Sequence, residues 1–472
     1  MKMENGCGAR IREFDGRRYF YFWHYERDGG RSTRKEDYVG RVDSEKAKAD
    51  LVRRMAAYHR TAEQEFARTR ARIQRLIAAI IPPHRGMRST AARVHRAADR
   101  RLTVGNLYPA SSLRRRVRLE QRPFGGFARG ALPVGCRQCT DGSKMVLFVT
   151  GICSFHCFYC PVSDEKMYKD VVFADEKRVT KDEDVLEEAH AIQATGAGIT
   201  GGDPLDAVER TCHYVRLLKR EFGPEFHTHL YTMSTDADKI RRLAEAGLDE
   251  IRFHVPPGLW SRAAGSAFVG ASRLARSLGL TVGLEVPLIP EREADLIRLI
   301  EWAGAEGLAF VNLNEMEFSE ANFPRMKVHR YTMKHELSYG VKGADAVALR
   351  ILGRKWKTTV HYCTSGYKDG WQLRSRIKRR AENVAHPWDV ITEDGTLLKG
   401  IVEGADLEPL MRDLARTYHV PADLMGVDGP RRRLEIAPWI LEKLAPKLHR
   451  PAFLVEEYPT SDGLEVERTR LA

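Results

Sequence analysis

The feature that most constrains the fold is a regular alternation of apolar runs and amphipathic stretches that begins near residue 143. The strand-like runs are 144–151, 196–200, 229–233, 250–255, 281–287 and 309–314. The helical patterns between them are 183–194, 206–222, 236–247, 266–278 and 294–306. Strands that alternate with helices predict an α/β fold with a parallel sheet. Six units favour a partial (β/α)6 barrel over a doubly wound sheet, although the periodicity fits both.

The rest of the chain is predicted to form smaller parts around this core. The predicted boundaries are 1–86 for a basic α+β extension, 87–142 for a basic lead-in, 143–387 for the core and 388–472 for a small C-terminal α+β domain. In the extension, an aromatic run at 18–25 and a turn at 28–30 predict a β-hairpin, and a long helix is predicted over 43–81. A strand at 358–363 and a basic helix at 373–383 close the core.

Composition and charge restrict the class of protein. With 43% hydrophobic and 30% charged residues, the 472-residue chain is typical of a soluble globular protein. It has neither an apolar run that could span a bilayer nor a signal-peptide core, so we expect a cytoplasmic protein without a membrane partner. The net charge of +13 is concentrated in residues 1–135, where 31 Lys+Arg face 14 Asp+Glu. This asymmetry indicates a nucleic acid or another polyanion as partner, or equally a solvated Arg-rich helix.

The cysteines point to metal chemistry. They lie at 7, 136, 139, 153, 157, 160, 212 and 363, and five of the eight fall between 136 and 160. Such clustering in a cytosolic protein favours metal ligation over disulfides. Cys153, Cys157 and Cys160 follow the first strand with CxxxCxxC spacing, so three thiolates can hold three irons of a cubane and leave the fourth iron open. A zinc site is the alternative, and only His156 is near enough to be its fourth ligand.

A glycine motif closes the second strand. Thr200 is followed by Gly201, Gly202, Asp203 and Pro204. Glycines let backbone atoms approach a ligand closely, and a carboxylate can accept hydrogen bonds from an ammonium group. An isolated GGDP would be an ordinary turn. Both motifs, however, follow strands at the edge where the active sites of barrels lie, which favours a functional role.

The two motifs carry a resemblance to a known family. CxxxCxΦC, with the aromatic Tyr159 before the last cysteine, identifies the chain as a member of the radical S-adenosylmethionine (SAM) superfamily. The resemblance implies a [4Fe–4S] cluster whose open iron binds SAM and cleaves it to a 5′-deoxyadenosyl radical that abstracts hydrogen from a substrate. The TGGDP run resembles the family's GGEP element, which meets the SAM amino group, with Asp203 replacing glutamate. Over residues 131–470 the chain resembles an archaeal-type group related to pyruvate formate-lyase activating enzyme.

Polar residues at later strand ends are weaker candidates. The resemblance implies SAM contacts from such positions, which here makes Glu285 and Asn314 candidates, alongside His254. The alternative is a polar side chain that is hydrogen-bonded within the barrel. His229, on the third strand, is predicted to be structural.

A second group of cysteines could form another site. Cys136 and Cys139 form a CxxC pair before the first strand, and together with Cys363 they could hold a second Fe–S cluster or zinc. His361 or a ligand from outside the protein would be the fourth ligand. The alternative is a set of reduced cysteines near the main cluster.

Several functions remain open at this level. The basic N-terminal third and the basic run Arg374–Arg380 slightly favour RNA or a protein as the substrate. A glycyl-radical-enzyme activase, a small-molecule radical enzyme and a non-catalytic Fe–S/SAM sensor are the alternatives. An electron donor such as ferredoxin or flavodoxin is the expected redox partner, because the cluster must be reduced before it cleaves SAM.

Overall fold

A computed structural model of the chain describes residues 7–14, 17–28, 31–44, 46–48, 50–51, 53–54, 119–335 and 338–471. The chain separates into two compact units, Met1–Leu102 and Thr103–Ala472. Within the described ranges, no helix is both long and apolar enough to cross a membrane.

The first unit contains a three-stranded antiparallel sheet with its strands in sequence order. These strands are Cys7–Phe14, Arg17–Asp28 and Arg31–Arg41. The second and third are the predicted hairpin. The first was not predicted, because CGARIREF lacks the aromatic and β-branched run that marks a strand. Of the helix predicted over 43–81, the described residues between 46 and 54 are helical, and the rest lies outside the described residues.

The second unit has a mixed α/β core with an eleven-stranded sheet. Seven neighbouring strands run parallel in sequence order. We number them β1 (Lys144–Phe148), β2 (Gly196–Thr200), β3 (His227–Thr232), β4 (Glu250–Phe253), β5 (Thr281–Leu288), β6 (Phe310–Glu315) and β7 (Thr359–Cys363). The first six match the predicted strands. The count of six is one short, because the closing strand predicted at 358–363 pairs in parallel with β6.

Helices connect the parallel strands and flank the sheet. They are Asp182–Ala191, Val208–Phe222, Ala237–Glu245, Ala267–Ser277, Glu293–Ala305, Phe323–Val328, Ala344–Leu352 and Arg374–Val384. In Val208–Phe222 the buried residues include Val208, Thr211, Cys212, Val215 and Leu218. Spacings of three and four residues place these side chains on one face, which packs against the sheet.

Short strand pairs extend the sheet at both edges. Phe127–Arg129 and Glu120–Gln121 lie beside β7, and Phe173–Ala174 and Lys177–Arg178 lie beside β1. A separate hairpin joins Met333–His335 to Ser338–Val341. The lead-in also contains a short helix, Val134–Thr140, which carries Cys136 and Cys139 and which we call the CxxC helix. Part of the predicted lead-in is therefore regular structure.

The C-terminal residues form a second, antiparallel sheet. Its strands in spatial order are Met425–Asp428, Arg433–Ile436, Leu397–Glu403, Ala452–Glu457 and Glu465–Arg470, with Val390–Ile391 paired to Leu397–Glu403. The helices Leu407–Thr417 and Pro438–Leu448 contribute to its core. Leu434, Ile436 and Leu441 are fully buried there.

The parallel strands separate an apolar face from a polar one. In β5, Val282, Leu284 and Val286 belong to the hydrophobic core, whereas Glu285 and Pro287 line a cavity on the other side of the sheet. Successive residues of a strand point to opposite faces, so this alternation follows directly from the sequence VGLEVP. The polar residues at alternate positions of the strands are thereby gathered on one face.

Candidate active site

The cavity on this face has a volume of about 630 Å³. Every one of the strands β1 to β7 contributes lining residues, from Lys144 at one edge to Cys363 at the other. Since both edges of the parallel set line the same space, the sheet curves around it. We call this space the main cavity. It is large enough for a small-molecule ligand.

The loop after β1 places three cysteines on this cavity. Cys153, Cys157 and Cys160 all line it, and each is partly exposed. We call residues 151–160 the cysteine loop. Asp206 anchors it, since its carboxylate accepts hydrogen bonds from the backbone N–H and the hydroxyl of Ser154 at 2.8 and 2.9 Å. One loop therefore presents three thiols to one space.

The thiols are free to take up metal. Burial raises the pKa of Cys153 to about 11, and burial also raises the pKa of Cys157. Both side chains are therefore protonated at neutral pH before any metal binds. Metal binding displaces these protons, as it does at thiolate sites generally. The sulfur atom of Cys153 already accepts a hydrogen bond from the Phe155 N–H at 3.4 Å.

The glycine motif packs directly against the cysteine loop. The N–H of Gly202 donates to the Thr150 carbonyl at 2.7 Å, and the N–H of Asp203 donates to the Ile152 carbonyl at 3.1 Å. A Cβ atom at Gly202 would lie 2.1 Å from the Ile152 oxygen and 2.8 Å from the Cys153 Cβ. Only glycine allows this approach. The two motifs, which were predicted to lie at the same edge of the sheet, are thus in contact.

Asp203 uses its carboxylate within the protein. Its Oδ1 accepts from the Leu205 N–H at 3.0 Å and from the Thr232 hydroxyl at 2.7 Å, and its Oδ2 accepts from the Met233 N–H at 2.8 Å. Burial raises the pKa of this carboxyl group. The side chain therefore fixes the motif to the end of β3. Pro204 is buried and does not line the main cavity.

Tyr159 connects the cysteine loop to the end of β4. Its hydroxyl lies 2.9 Å from Nε2 of His254. Burial lowers the pKa of His254 to about 4 and raises the pKa of Tyr159, so both groups are neutral at neutral pH. The backbone carbonyl of Tyr159 also accepts from the Asn322 side chain at 3.1 Å. Two independent bonds hold this residue in position.

Glu285 and Asn314 lie together in a set of hydrogen-bonded polar side chains. Glu285 accepts from Asn314 at 2.5 Å, from Asn312 at 2.8 Å and from Arg252 at 3.1 Å. Arg252 also donates from Nε to Glu250 at 2.6 Å. We call these five residues the buried charge network. It places both predicted residues on the main cavity and gives each a protein partner.

The second set of cysteines lies on the same cavity in a different environment. The Cys136 sulfur accepts from the Asn312 amide at 3.2 Å and from Arg252 at 3.6 Å. Cys363, at the end of β7, is buried and lies 3.9 Å from Nε2 of Gln372. Cys139 is partly exposed and also lines the cavity. The three cysteines that were predicted to form a second site thus all line the main cavity.

Neither set of cysteines surrounds a single metal ion. Among the described residues, no three His, Cys, Asp or Glu side chains approach one another closely enough to hold one ion. A cubane cluster is larger than one ion and spreads its thiolate ligands apart, so this criterion does not test a cluster site. A zinc site at Cys136, Cys139 and Cys363 is not assembled in this arrangement.

Sequence reasoning missed several polar residues that line the cavity, among them Lys144 and Arg252. Lys144 opens β1 and Arg252 lies within β4, and both are buried. A signal was available. In KMVLF the side chains of Met145 and Leu147 enter the hydrophobic core, so Lys144 has the opposite parity and must face the inside of the curved sheet. A lysine at an inward position of a buried strand requires an explanation.

Comparisons with known proteins agree with this geometry. The family model described as the radical SAM superfamily matches residues 147–256, which include the cysteine loop and the glycine motif. A protein of Methanocaldococcus jannaschii, named as a candidate glycyl-radical enzyme activating enzyme, is 37% identical over 359 residues, which cover 72% of this chain and 93% of the relative. A family described as "Domain of unknown function (DUF8061)" matches residues 395–471. The chain therefore belongs to the radical SAM superfamily, in the group related to pyruvate formate-lyase activating enzyme, whose cofactors are a [4Fe–4S] cluster and SAM.

Proposed function

We propose that this chain holds a [4Fe–4S] cluster on Cys153, Cys157 and Cys160 and binds SAM beside Gly201–Pro204. The observation that carries the proposal is that the three thiols and Gly201–Asp203 line one cavity, and that backbone hydrogen bonds join the glycine motif to Thr150 and Ile152 at the start of the cysteine loop. When bound, the cluster and SAM together supply a 5′-deoxyadenosyl radical, which abstracts a hydrogen atom from a substrate. The protein orients the cofactors and the substrate and shields them from solvent.

The residues around the motifs support this division of roles. Because the Asp203 carboxylate is occupied by Leu205, Thr232 and Met233, we assign contact with the SAM amino group to the backbone of Gly201 and Gly202. The shorter aspartate thus acts as a positioning residue in this chain. It holds the glycines against the cysteine loop, as outer-shell groups do at other metal centres.

Tyr159, Glu285 and Asn314 extend the proposed SAM site across the cavity. Tyr159 precedes the last cysteine, and its bond to His254 fixes the side of the loop that faces β4. Glu285 and Asn314 are held at 2.5 Å from each other, so they can present one carboxylate and one amide in a fixed orientation. Fixed polar groups on rigid strands are what precise ligand positioning requires.

The fold and its divisions support the same reading. We propose that the curved sheet is the partial radical SAM barrel within 143–387, preceded by the extension 1–86 and the lead-in 87–142 and followed by the domain 388–472. We also propose a cytoplasmic location and reduction by ferredoxin or flavodoxin. The RNA reading receives no support from the comparisons, and residues 55–118 of its basic segment lie outside the described residues.

An activase is the second candidate function. The name of the Methanocaldococcus jannaschii relative favours it, since that protein is named for activation of a glycyl-radical enzyme. The test mixes the reduced protein and SAM with a glycyl-radical enzyme from the same source and looks for a protein radical by electron paramagnetic resonance. A glycyl signal that requires Cys157 would support the activase, whereas its absence with an active enzyme would exclude that partner.

The main proposal is tested by SAM cleavage. The protein is purified without oxygen, reconstituted with iron and sulfide, reduced and assayed for 5′-deoxyadenosine. We expect product from the wild type and none from Cys157→Ala. Asp203→Ala should lower the rate by roughly tenfold or more, because the glycines lose their anchor. Cys212→Ala is the matched control, since Cys212 is a buried cysteine outside the main cavity.

Two results would contradict the proposal. The first is a reduced, fully loaded cluster that leaves SAM intact with every tested substrate, which would favour a non-catalytic sensor. The second is equal product from Cys157→Ala and wild type, which would place the reactive cluster elsewhere.

A further inference from the structure

The inner end of the main cavity contains a buried cation without a protein partner. Lys144, the first residue of β1, is 7% exposed and lines the cavity. Among the described residues, no carboxylate forms an ion pair with its ammonium group and no acceptor forms a hydrogen bond with it. Burying an unpaired charge is strongly unfavourable, so a side chain of this kind points to a missing counter-ion.

The groups that face Lys144 do not neutralise it. Burial lowers its pKa, but Cys139, Tyr231 and Cys136 outweigh burial, and the net shift is upward. The side chain therefore remains a cation. Arg252 adds a second positive charge near the same place.

The second strand leaves room for this lysine. A Cβ atom at Gly198 would lie 3.3 Å from the Cε atom of Lys144 and 3.0 Å from Nε2 of His229. Any larger residue at 198 would press on both side chains. The GAGIT sequence of β2 thus accommodates Lys144 inside the curved sheet at a position where an apolar residue would pack more simply.

Two further groups that line the main cavity have unused hydrogen-bonding atoms. Both ring nitrogens of His361 and Oδ1 of Asn312 are buried without a partner among the described residues. His361 and Asn312 are paired in register on β7 and β6. The Asn312 amide also donates to Cys136, whose side chain faces Lys144. Lys144, His361 and Asn312 therefore offer the main cavity one ammonium group, one imidazole and one amide oxygen.

The inner end of the main cavity is separated from the cysteine loop along β1. Lys144 pairs with Gly196 at the start of β2, while the loop follows the far end of β1 at Phe148. At about 3.3 Å per residue, the two ends of β1 are roughly 13 Å apart. The side chain of Lys144 reaches Gly198, which pairs with Val146, so its ammonium group is about two residues, or roughly 7 Å, from the loop end. A molecule that contacts Lys144 can therefore extend toward the loop without occupying the cluster site.

We propose that the inner end of the main cavity binds the anionic group of a small-molecule substrate, a carboxylate or a phosphate, with Lys144 as its ion-pair partner. His361 and Asn312 provide hydrogen bonds, and the opposite end of the substrate lies near the cysteine loop. The inference rests on the proposed function for the identity of the reacting end. A protein substrate would need an Asp or Glu side chain beside its reacting glycine to pair with Lys144, whereas a small anionic metabolite carries the charge itself.

The carboxylate of SAM itself is a second source of the same chemistry. The proposed SAM site lies at the loop end of β1 and β2, whereas Lys144 lies at the start of β1. We therefore assign the anion to the substrate, and the experiment separates the two sources.

The test measures the thermal unfolding midpoint of the reconstituted full-length protein in increasing inorganic phosphate and, separately, succinate at constant ionic strength. The variants are Lys144→Met and Lys144→Gln, which keep most of the length of the side chain and remove its charge. Lys166→Met is the matched control, because Lys166 lies outside the main cavity. Each titration is repeated with saturating SAM.

We expect at least one of the two anions to raise the midpoint of the wild type and of Lys166→Met and to leave both Lys144 variants unchanged. The rise should persist with SAM bound. An equal rise in the wild type and the Lys144 variants, or no rise with either anion, would overturn the proposal. Loss of the rise in saturating SAM would assign the anion site to SAM, which also overturns it. Because no step requires SAM cleavage, this outcome is independent of the 5′-deoxyadenosine assay.

Discussion

Two buried lysines show opposite surroundings in this protein. Lys399, in the C-terminal sheet, lies 2.8 Å from Glu457, 3.2 Å from Glu435 and 3.4 Å from Asp389. Lys144, in the main cavity, has no carboxylate partner among the described residues. Both are buried, and each lies on a strand of a sheet. The difference between them lies only in the neighbours.

The pairing of Lys399 is part of a larger group of charges. Arg433 donates to Glu435 at 2.6 Å and to Glu457 at 3.0 Å, and these two carboxylates also face Lys399. The charges of Glu435 and Asp389 raise the pKa of Lys399 despite its burial. A closed group of this kind satisfies itself and needs no ligand. We regard it as structural.

The buried charge network of the main cavity follows the same rule as the C-terminal group. Arg252 is buried between Glu250 and Glu285, so its charge is compensated by the protein. A polar cavity is therefore not by itself evidence for a ligand. The comparison shows that evidence for a ligand comes from a buried charge without a carboxylate partner. Of the two lysines, Lys144 meets this condition.

The largest expected effect is at Lys399. Replacing it in Lys399→Met should lower the free energy of unfolding by about 3–5 kcal/mol, because Glu435, Glu457 and Asp389 would keep their buried charges without this cation. Urea unfolding followed by circular dichroism measures the change. The exposed Lys443→Met, in the neighbouring helix Pro438–Leu448, should change stability by less than about 0.5 kcal/mol.

This measurement tests whether the ion pairs of Lys399 stabilise the fold, which is the basis for contrasting it with Lys144. If Lys399→Met is as stable as Lys443→Met, the ion pairs of the C-terminal group contribute little, and the contrast with Lys144 loses its meaning. A large loss would support the use of pairing as the sign of a structural charge.

A smaller effect is expected at His361, which is 2% exposed and whose ring nitrogens are unpaired. Burial lowers its pKa to about 4, from an ordinary value near 6.5. The unfolded chain therefore takes up the proton first as the pH falls, and stability is lost between about pH 6.5 and pH 4. At pH 5 this loss amounts to about 2 kcal/mol for one such histidine.

His361→Gln should remove that part of the acid sensitivity. Between pH 7 and pH 5 the wild type is expected to lose about 2 kcal/mol more than the variant, as measured by urea unfolding at each pH. His190→Gln, at an exposed histidine, is the control and should keep the pH dependence of the wild type. If His361→Gln kept the pH dependence of the wild type, burial of His361 would not be the cause of the acid sensitivity. The imidazole would then be hydrogen-bonded in solution, contrary to the proposed role of its free nitrogens.

Much of this arrangement could be predicted from the sequence, because its signals are local. The spacing of Cys153, Cys157 and Cys160 and the GGDP run are contiguous, and the periodicity of the strands locates both motifs at one edge of a sheet. The radical SAM family and its cofactors are confirmed by the comparisons. The first six parallel strands agree with the alternation in the sequence.

The remaining features depend on contacts between distant parts of the chain. Nothing near Asp203 in the sequence indicates that Thr232 and Met233 occupy its carboxylate. The partners of Glu285 come from β4 and β6, so its network appears only when neighbouring strands are aligned in register. Pairing of β7 with β6 likewise needs the curvature of the whole sheet. A missing partner, as at Lys144, is the least visible of all in a sequence.

The smallest expected effect applies the same comparison to the cysteines. Cys136 resembles Lys399, since its sulfur accepts hydrogen bonds from Asn312 and Arg252, whereas the thiols of the cysteine loop are partly exposed to the cavity. If partners mark structural groups, Cys136→Ser should leave the iron and zinc content of the reconstituted protein unchanged, because the hydroxyl can accept the same two bonds. Cys153→Ser is the control and should lower the iron content, since a cluster ligand is lost. Metal analysis together with the ultraviolet–visible spectrum of the cluster measures both. A loss of iron or zinc in Cys136→Ser, repeated in Cys363→Ser, would instead establish a second metal site on the main cavity, and it would show that a hydrogen-bonded thiol in this chain can still serve as a ligand.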